Sequence, residues 1–166
     1  NSGYSNTGLG FSTLYDNISG NNNAAVASYA LYNNTSGSLN TGVGHFALSD
    51  NTTGNSNVAL GGYALDNNIT GSQNTALGYN ADVSATNLLN ATAIGYNTLV
   101  NASNKVRIGN TTVGVIEGQV AYSFPSDARF KYNIKSDVPG LAFIKKLQPV
   151  TYYFDTDKLD EYSKTG

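Results

Sequence analysis

Hydrophobic positions recur with a 17-residue spacing through most of the chain. One aliphatic ladder consists of Leu9, Val26, Val43, Leu60, Leu77 and Ile94, and a shorter, 14-residue step leads on to Ile108. A second ladder lies five positions later and consists of Leu14, Leu31, Leu48, Leu65, Asp82 and Leu99. A ladder that keeps its register over six members indicates an internal repeat.

Polar and small residues follow the same period. A glycine ladder consists of Gly3, Gly20, Gly37, Gly54 and Gly71, and an asparagine ladder of Asn17, Asn34, Asn51 and Asn68. A 17-residue unit this rich in Gly and Asn is too short for a helix pair and unfavourable for helix. The Asn- and Gly-containing stretches suit turns with left-handed backbone angles. The pattern predicts an all-β parallel solenoid of about six coils, each with two strands of about five residues, stacked about 4.8 Å apart.

Charge divides the chain into two differently composed parts. All nine Lys and Arg lie at or after Lys105, and all three Pro lie after Tyr122. We therefore predict a solenoid over residues 1–110, a connector over 111–125 and a second domain over 126–166. Residues 105–119 are expected to close the solenoid as a strand pair that turns at 110–111. A helix over 139–147 and a strand over 150–154 predict a small α+β segment.

Composition excludes several functions. The chain has no Cys, which rules out disulfides and thiolate metal sites, and its net charge of −2 disfavours nucleic-acid binding. No apolar run reaches the roughly 18 residues of a membrane span. His45 stands alone, and the four Asp of the repeat fall at turns without a dense acidic loop, so neither a metal nor a cofactor is expected. The absence of Met indicates a fragment or a processed chain.

The aromatic residues are surplus to a narrow interior that takes only two or three apolar side chains per coil. They are Phe11, Tyr29, Phe46, Tyr63, Tyr79 and Tyr96. They are either exposed on a monomer or packed, like the aliphatic ladders, against sister chains. The members of both aliphatic ladders other than Asp82 are therefore candidates for core or trimer packing.

Two segments of the repeat carry a family resemblance. Residues 74–81 (N-T-A-L-G-Y-N-A) and 91–98 (A-T-A-I-G-Y-N-T) resemble the YadA-like head repeats of trimeric autotransporter adhesins. The resemblance covers about residues 6–110. It implies a left-handed parallel β-roll, side-by-side homotrimers and an extracellular or cell-surface location. The regular 17-residue coil, with its Asn-rich turn, departs from that family's pattern.

The C-terminal segment resembles a second family. It begins Ser-Asp-x-Arg-x-Lys-x-Asn-Ile at residues 126–134 and continues through 140–152, and it is similar to the endosialidase-type intramolecular chaperone of phage tail spikes and fibres. The resemblance implies a domain that assembles trimers and then cleaves itself off at the Pro125–Ser126 bond. Ser126 would be the nucleophile and Lys131 the base, with support from Asp127, Arg129 and Asn133.

The implied chemistry is single-turnover autoproteolysis. A Ser hydroxyl needs a base, and a Lys serves as one only when burial or nearby positive charge lowers its pKa. Arg129 either supplies such charge or pairs with Asp127, and the sequence leaves both open. Residues 126–166 are expected to be the first part of a longer domain, and the chain is expected to stay uncleaved as it stands.

The sequence thus predicts a trimeric surface-fibre or adhesin-like structural protein, bacterial or from a phage tail. One alternative is a tail-fibre segment that binds a surface glycan or host receptor. A weaker alternative is ice binding through Thr and Asn ladders, although Ile18, Ile69 and Ser103 interrupt the Thr positions. Paired carboxylates for glycan hydrolysis are absent from the repeat.

Overall fold

The computed structural model of the chain describes residues 2–119. Within this range the chain forms only short strands, all paired in parallel, and no helix. They are β1 Thr7–Leu9, β2 Ala24–Val26, β3 Thr41–Val43, β4 Val58–Leu60, β5 Thr75–Leu77, β6 Asp82–Val83, β7 Thr92–Ile94, β8 Leu99–Val100 and β9 Val106–Ile108. The predicted all-β parallel solenoid of about six coils is confirmed. The predicted two strands of about five residues per coil are wrong, since the strands have three residues or two and each coil from β1 to β4 has one strand.

The strands stack into one long sheet and one short one. The long sheet has the order β1-β2-β3-β4-β5-β7-β9, and β6 pairs with β8 in the short sheet. Each step in the long sheet up to β7 is one 17-residue coil, as in the pairing of Thr7 with Ala24. The last step is a 14-residue coil and pairs Thr92 with Val106. Equivalent residues of successive coils therefore lie in columns.

Small side chains fill most of the interior. The central positions of β2, β3, β4, β5 and β7 supply one buried column, which includes Ala25, Ala59, Ala76 and Ala93. A second column supplies Ala30, Ala47, Ala64 and Ala81, next to the fully buried Leu31, Leu48 and Leu65. The space inside a coil accommodates one Leu and two small residues, so the apolar core of each coil is thin.

Two columns of buried Asn complete the interior. The first consists of Asn17, Asn34, Asn51 and Asn68, and the second of Asn23, Asn40, Asn57 and Asn74, with the half-buried Asn6 at its start. In the first column, Asn34 Nδ2 donates to Asn17 Oδ1 at 2.8 Å and to the carbonyl of Gly37 at 2.9 Å. In the second, the Asn40 amide N–H donates to Asn23 Oδ1 at 3.0 Å. Among the described residues no buried side-chain nitrogen or oxygen lacks a partner, so these columns satisfy the polar groups that they bury.

The glycine ladder allows neighbouring coils to approach closely. A Cβ on Gly54 would fall on the carbonyl oxygen of Gly71 and on Oδ1 of Asn51. The backbone there is not in the left-handed region, so lack of space and not backbone angle requires glycine. The buried Asn columns and the glycine column thus form one packed unit at the corner of each coil.

The coils change after residue 81. In the regular coils the turn after each strand has two left-handed residues, for example Tyr63 with φ 56° and Leu65 with φ 52°. In the next coil only Asn80 is left-handed, with φ 54°, and the chain then extends into β6. Val83 takes over the core position because a β-branched residue favours an extended backbone. Both Asn columns end here, since Ala occupies positions 85 and 91.

The chain after β9 differs from its prediction. No strand forms between Thr111 and Glu117. Instead, Asn110 Oδ1 accepts a hydrogen bond from the Thr112 amide at 2.9 Å, and the Val113 amide donates to the Asn110 carbonyl. This turn places Val113 against Gly109.

The chain divides into two compact units, Asn1–Glu117 and Gly118–Gly166. The predicted helix over 139–147, the strand over 150–154 and the small α+β segment that they define lie outside the described residues. No helix in the described part of the chain is long and apolar enough to cross a membrane.

Candidate interaction surfaces

The two aliphatic ladders lie on opposite sides of the coil wall. In the ladder that starts at Leu14, the side chains of Leu31, Leu48 and Leu65 are fully buried in the chain's own core, and Leu14 is half-buried. Leu99 is 45% exposed, because Val100 takes the core position in its coil. In the ladder that starts at Leu9, every side chain is exposed or half-buried.

The outward face of the long sheet is a strip with one continuous aliphatic column beside a column in which four of seven residues are Thr. It carries the first and third residue of each strand, because alternate side chains of a strand share a face. The third positions form the aliphatic column Leu9, Val26, Val43, Leu60, Leu77, Ile94 and Ile108. The first positions are Thr7, Ala24, Thr41, Val58, Thr75, Thr92 and Val106. Leu60 is 38% and Leu77 47% exposed, so the described chain does not cover this strip.

The aromatic residues form a ridge in which three central rings stack on one another, whereas Phe11, Tyr79 and Tyr96 are 67%, 52% and 62% exposed. Tyr29, Phe46 and Tyr63 stack with centroid distances of 4.9 and 5.4 Å and interplanar angles of 8° and 10°. His45 meets Phe46 edge-on at 4.4 Å. All three stacked residues have left-handed backbone angles, between 56° and 60°. The stack therefore compensates an unfavourable backbone conformation, and its central rings present edges rather than faces.

Three carboxylates each accept a hydrogen bond from a neutral side chain in the preceding coil. Asn33 donates to Asp50 at 3.0 Å, Ser49 to Asp66 at 2.5 Å, and Asn67 to Asp82 at 2.7 Å. The chain has no Lys or Arg before Lys105.

Burial raises the pKa of two of these three carboxyl groups, those of Asp66 and Asp82. Burial raises the pKa of Asp82 to about 6, with a smaller contribution from the negative charge of Asp66, while hydrogen bonds from Val83 and Asn67 oppose the increase. Burial also raises the pKa of Asp66, opposed by the hydrogen bond from Ser49. No group of three or more His, Cys, Asp or Glu within residues 2–119 is placed to hold a metal ion.

The predicted catalytic residues lie outside the described residues. These are Ser126 and Lys131, the supporting Asp127, Arg129 and Asn133, and the scissile bond between Pro125 and Ser126. Their roles stay predictions. Sequence reasoning missed the buried column Asn23 to Asn74, although its 17-residue spacing was visible and an Asn shortly before each strand was the signal for it.

One comparison with known proteins gives a match. Residues 126–166 match the family model described as chaperone of endosialidase. This supports the resemblance proposed for the C-terminal segment. Neither a curated protein nor a solved structure matches the chain significantly. The chain therefore combines a parallel β-solenoid with a C-terminal segment similar to an endosialidase chaperone.

Proposed function

We propose that this chain is a structural segment of a homotrimeric fibre, at a cell surface or in a phage tail, whose C-terminal segment assembles the trimer. The observation that carries the proposal is the uncovered aliphatic strip on the long sheet. Exposed apolar strips of this length mark contacts between proteins. The match of residues 126–166 to the chaperone of endosialidase supports assembly as the role of that segment.

The strip is a better candidate for the trimer contact than the aromatic ridge. The central ridge residues Tyr29, Phe46 and Tyr63 already pack on one another, whereas the column from Leu9 to Ile108 has no partner side chains on its outer side within the described chain. Three copies of a straight column, one from each chain, can pack along a common axis when the coils stay in register. An apolar column therefore suits a parallel arrangement of identical solenoids.

A C-terminal assembly segment also answers a register problem. A surface with a 17-residue repeat matches itself after a shift of one coil, so the solenoid faces alone define the alignment of three chains poorly. A segment that joins the three chains at one end removes this ambiguity. Deletion of residues 118–166 is then expected to give misaligned or aggregated chains. A homogeneous trimer from residues 1–117 would contradict this role.

The trimer itself is tested by native mass and one matched pair of variants. The wild-type protein is expected at three times the chain mass of 17.4 kDa. Leu60→Lys places a charge on the strip and is expected to give monomers that keep the solenoid circular-dichroism spectrum. Leu39→Lys changes an exposed Leu, 59% accessible, away from the sheet, and is expected to stay trimeric. A monomeric wild type, or a trimeric Leu60→Lys protein, would contradict the proposal.

We also propose that Ser126 cleaves the bond that precedes it. Its hydroxyl oxygen attacks the Pro125 carbonyl carbon while Lys131 takes the hydroxyl proton and passes it to the departing Ser126 amine. Water then hydrolyses the resulting ester. Denatured mass spectrometry of the full-length gene product beside its Ser126→Ala variant tests this step. If both proteins stay whole, the C-terminal segment is a permanent clamp and not a releasable chaperone.

A further inference from the structure

We propose that residues 113–117 form a contact between chains, in which this segment of one chain packs along strand β9 of a second copy. This inference rests on the proposed homotrimer. It names a part of the interface that lies beyond the regular coils. We call residues 113–117 the exit segment.

The exit segment is apolar apart from Glu117, and it pairs with no strand among residues 2–119. Val115 is 70% and Ile116 51% exposed, and Val113 is exposed as well. No hydrogen bond between described residues involves the backbone N–H groups of residues 114–117. A run of this kind has the composition of a strand and no strand to pair with.

Strand β9 offers a complementary surface. It is the last strand of the long sheet, and no described strand pairs with its far edge. Its outward residues Val106 and Ile108 continue the aliphatic strip and are 65% and 47% exposed. An open edge beside exposed aliphatic side chains suits the addition of an extended apolar segment.

A second copy is the occupant that these features favour. Pairing of the exit segment with β9 in the same chain is the arrangement that the sequence predicted, and it does not form, because the turn at Asn110 packs Val113 on Gly109. A sister chain carries the same open edge. Only the short stretch 118–125 separates the exit segment from the matched segment at 126. Chains joined at that segment keep their exit segments at high effective concentration.

Disulfide trapping tests the contact directly, because the chain contains no Cys. The double variant Val106→Cys/Val115→Cys is oxidised with diamide and run on non-reducing denaturing gels. If the exit segment lies on β9 of a neighbour, covalent dimers and trimers form and disappear on reduction. The matched control is Val106→Cys/Asn87→Cys, whose second position is exposed on the solenoid away from β9. A second pair, Ile108→Cys/Ile116→Cys, repeats the test in case the first variant fails to fold.

The outcomes separate this inference from the proposed function. Native mass is measured on every variant before oxidation. A trimer in which neither pair crosslinks between chains overturns the exit-segment contact and leaves the trimer intact. A disulfide within one chain, which gives only a faster-migrating monomer, also overturns it. A monomeric native mass for the wild type overturns the proposed function itself.

Discussion

The regular coils up to residue 81 and the coils that follow solve the same packing problem in different ways. In the regular coils the corner is held by buried Asn columns with close glycine contacts, and a left-handed Leu fills the core. In the later coils the Asn columns end, Val83 and Val100 fill the core from an extended backbone, and a buried carboxylate appears at Asp82. Repetition thus lets buried polar groups satisfy one another, whereas the change of coil buries a carboxylic acid that accepts hydrogen bonds from Asn67 and Val83.

The largest effect is expected from a methyl group in the glycine column. Gly54→Ala places its Cβ on the Gly71 carbonyl oxygen and on Oδ1 of Asn51. Neither atom can move without disturbing the hydrogen bonds that it accepts from Asn side chains. We expect a loss of about 4 kcal/mol or failure to fold, since overpacking adds to the broken bonds. Thermal and urea unfolding followed by circular dichroism measure it.

Gly62→Ala is the matched control for that substitution. A Cβ on Gly62 makes only ordinary van der Waals contacts, the nearest at 3.4 Å from the Tyr79 ring, so its melting temperature should match the wild type. If Gly54→Ala melts within about 2–3 °C of Gly62→Ala, the shift that a loss of only about 1 kcal/mol gives, the corner is not closely packed.

The next largest effect is expected from breaking an Asn column. Asn51 Nδ2 donates to Asn34 Oδ1 at 2.9 Å and to the Gly54 carbonyl, and Asn51 Oδ1 accepts from Asn68. Asn51→Leu keeps the branched shape of the side chain, with bulkier methyl groups in place of the amide, and leaves these buried partners unsatisfied. We expect a loss of about 3 kcal/mol from the unpaired groups.

The exposed Asn87 provides the comparison for Asn51. Asn87→Leu lies in the part of the chain where the buried columns have ended, so its urea midpoint should be unchanged. Equal midpoints for the two variants would show that the column of hydrogen bonds adds nothing to stability.

Sequence reasoning located the columns but not the side of the wall on which each lies. The 17-residue spacing defined both aliphatic ladders, and both looked suitable for a core. Turn geometry decides between them: the left-handed angles at Leu31, Leu48 and Leu65 turn those side chains inward. Such angles are unusual for Leu, so propensity gives no hint of them. The shortening from a 17-residue to a 14-residue step and the Asp in a Leu ladder did signal the change of coil.

A third effect concerns pH and belongs to the later coils. Because burial raises the pKa of Asp82 to about 6 from the ordinary 3.8, the folded chain binds a proton there more tightly than the unfolded chain. Asp82 therefore contributes stability below about pH 4 that is lost as the pH rises through about 6. A shift of this size, which already includes the opposing hydrogen bonds from Asn67 and Val83, corresponds to about 3 kcal/mol. The direction for Asp66 is the same.

Melting curves of Asp82→Asn and wild type between pH 4 and pH 7 measure this contribution. The wild-type melting temperature should fall more steeply with rising pH than that of the variant. Asp16→Asn, at an exposed carboxylate, should follow the wild-type slope. Identical slopes for the wild type and Asp82→Asn would show that the carboxylate titrates alike in the folded and unfolded chains.

The smallest effect is expected where a regular coil departs from its own pattern. The residue after each aliphatic position is Gly10, Gly44, Gly61, Gly78 or Gly95 with φ between 113° and 144°, but the second coil has Ala27 with φ 85°. An Ala at positive φ is strained, whereas Gly adopts such angles freely. Ala27→Gly should therefore stabilise the solenoid by up to about 1 kcal/mol, reduced by the greater entropy of Gly in the unfolded chain.

Ala25→Gly, in a strand of the same coil, should instead destabilise it, because it empties a buried core position. A rise in urea midpoint for Ala27→Gly with a fall for Ala25→Gly would show that the repeat tolerates Ala at the turn only at some cost in strain. A fall for both would mean that the Ala27 methyl contributes more by packing than it loses by conformation.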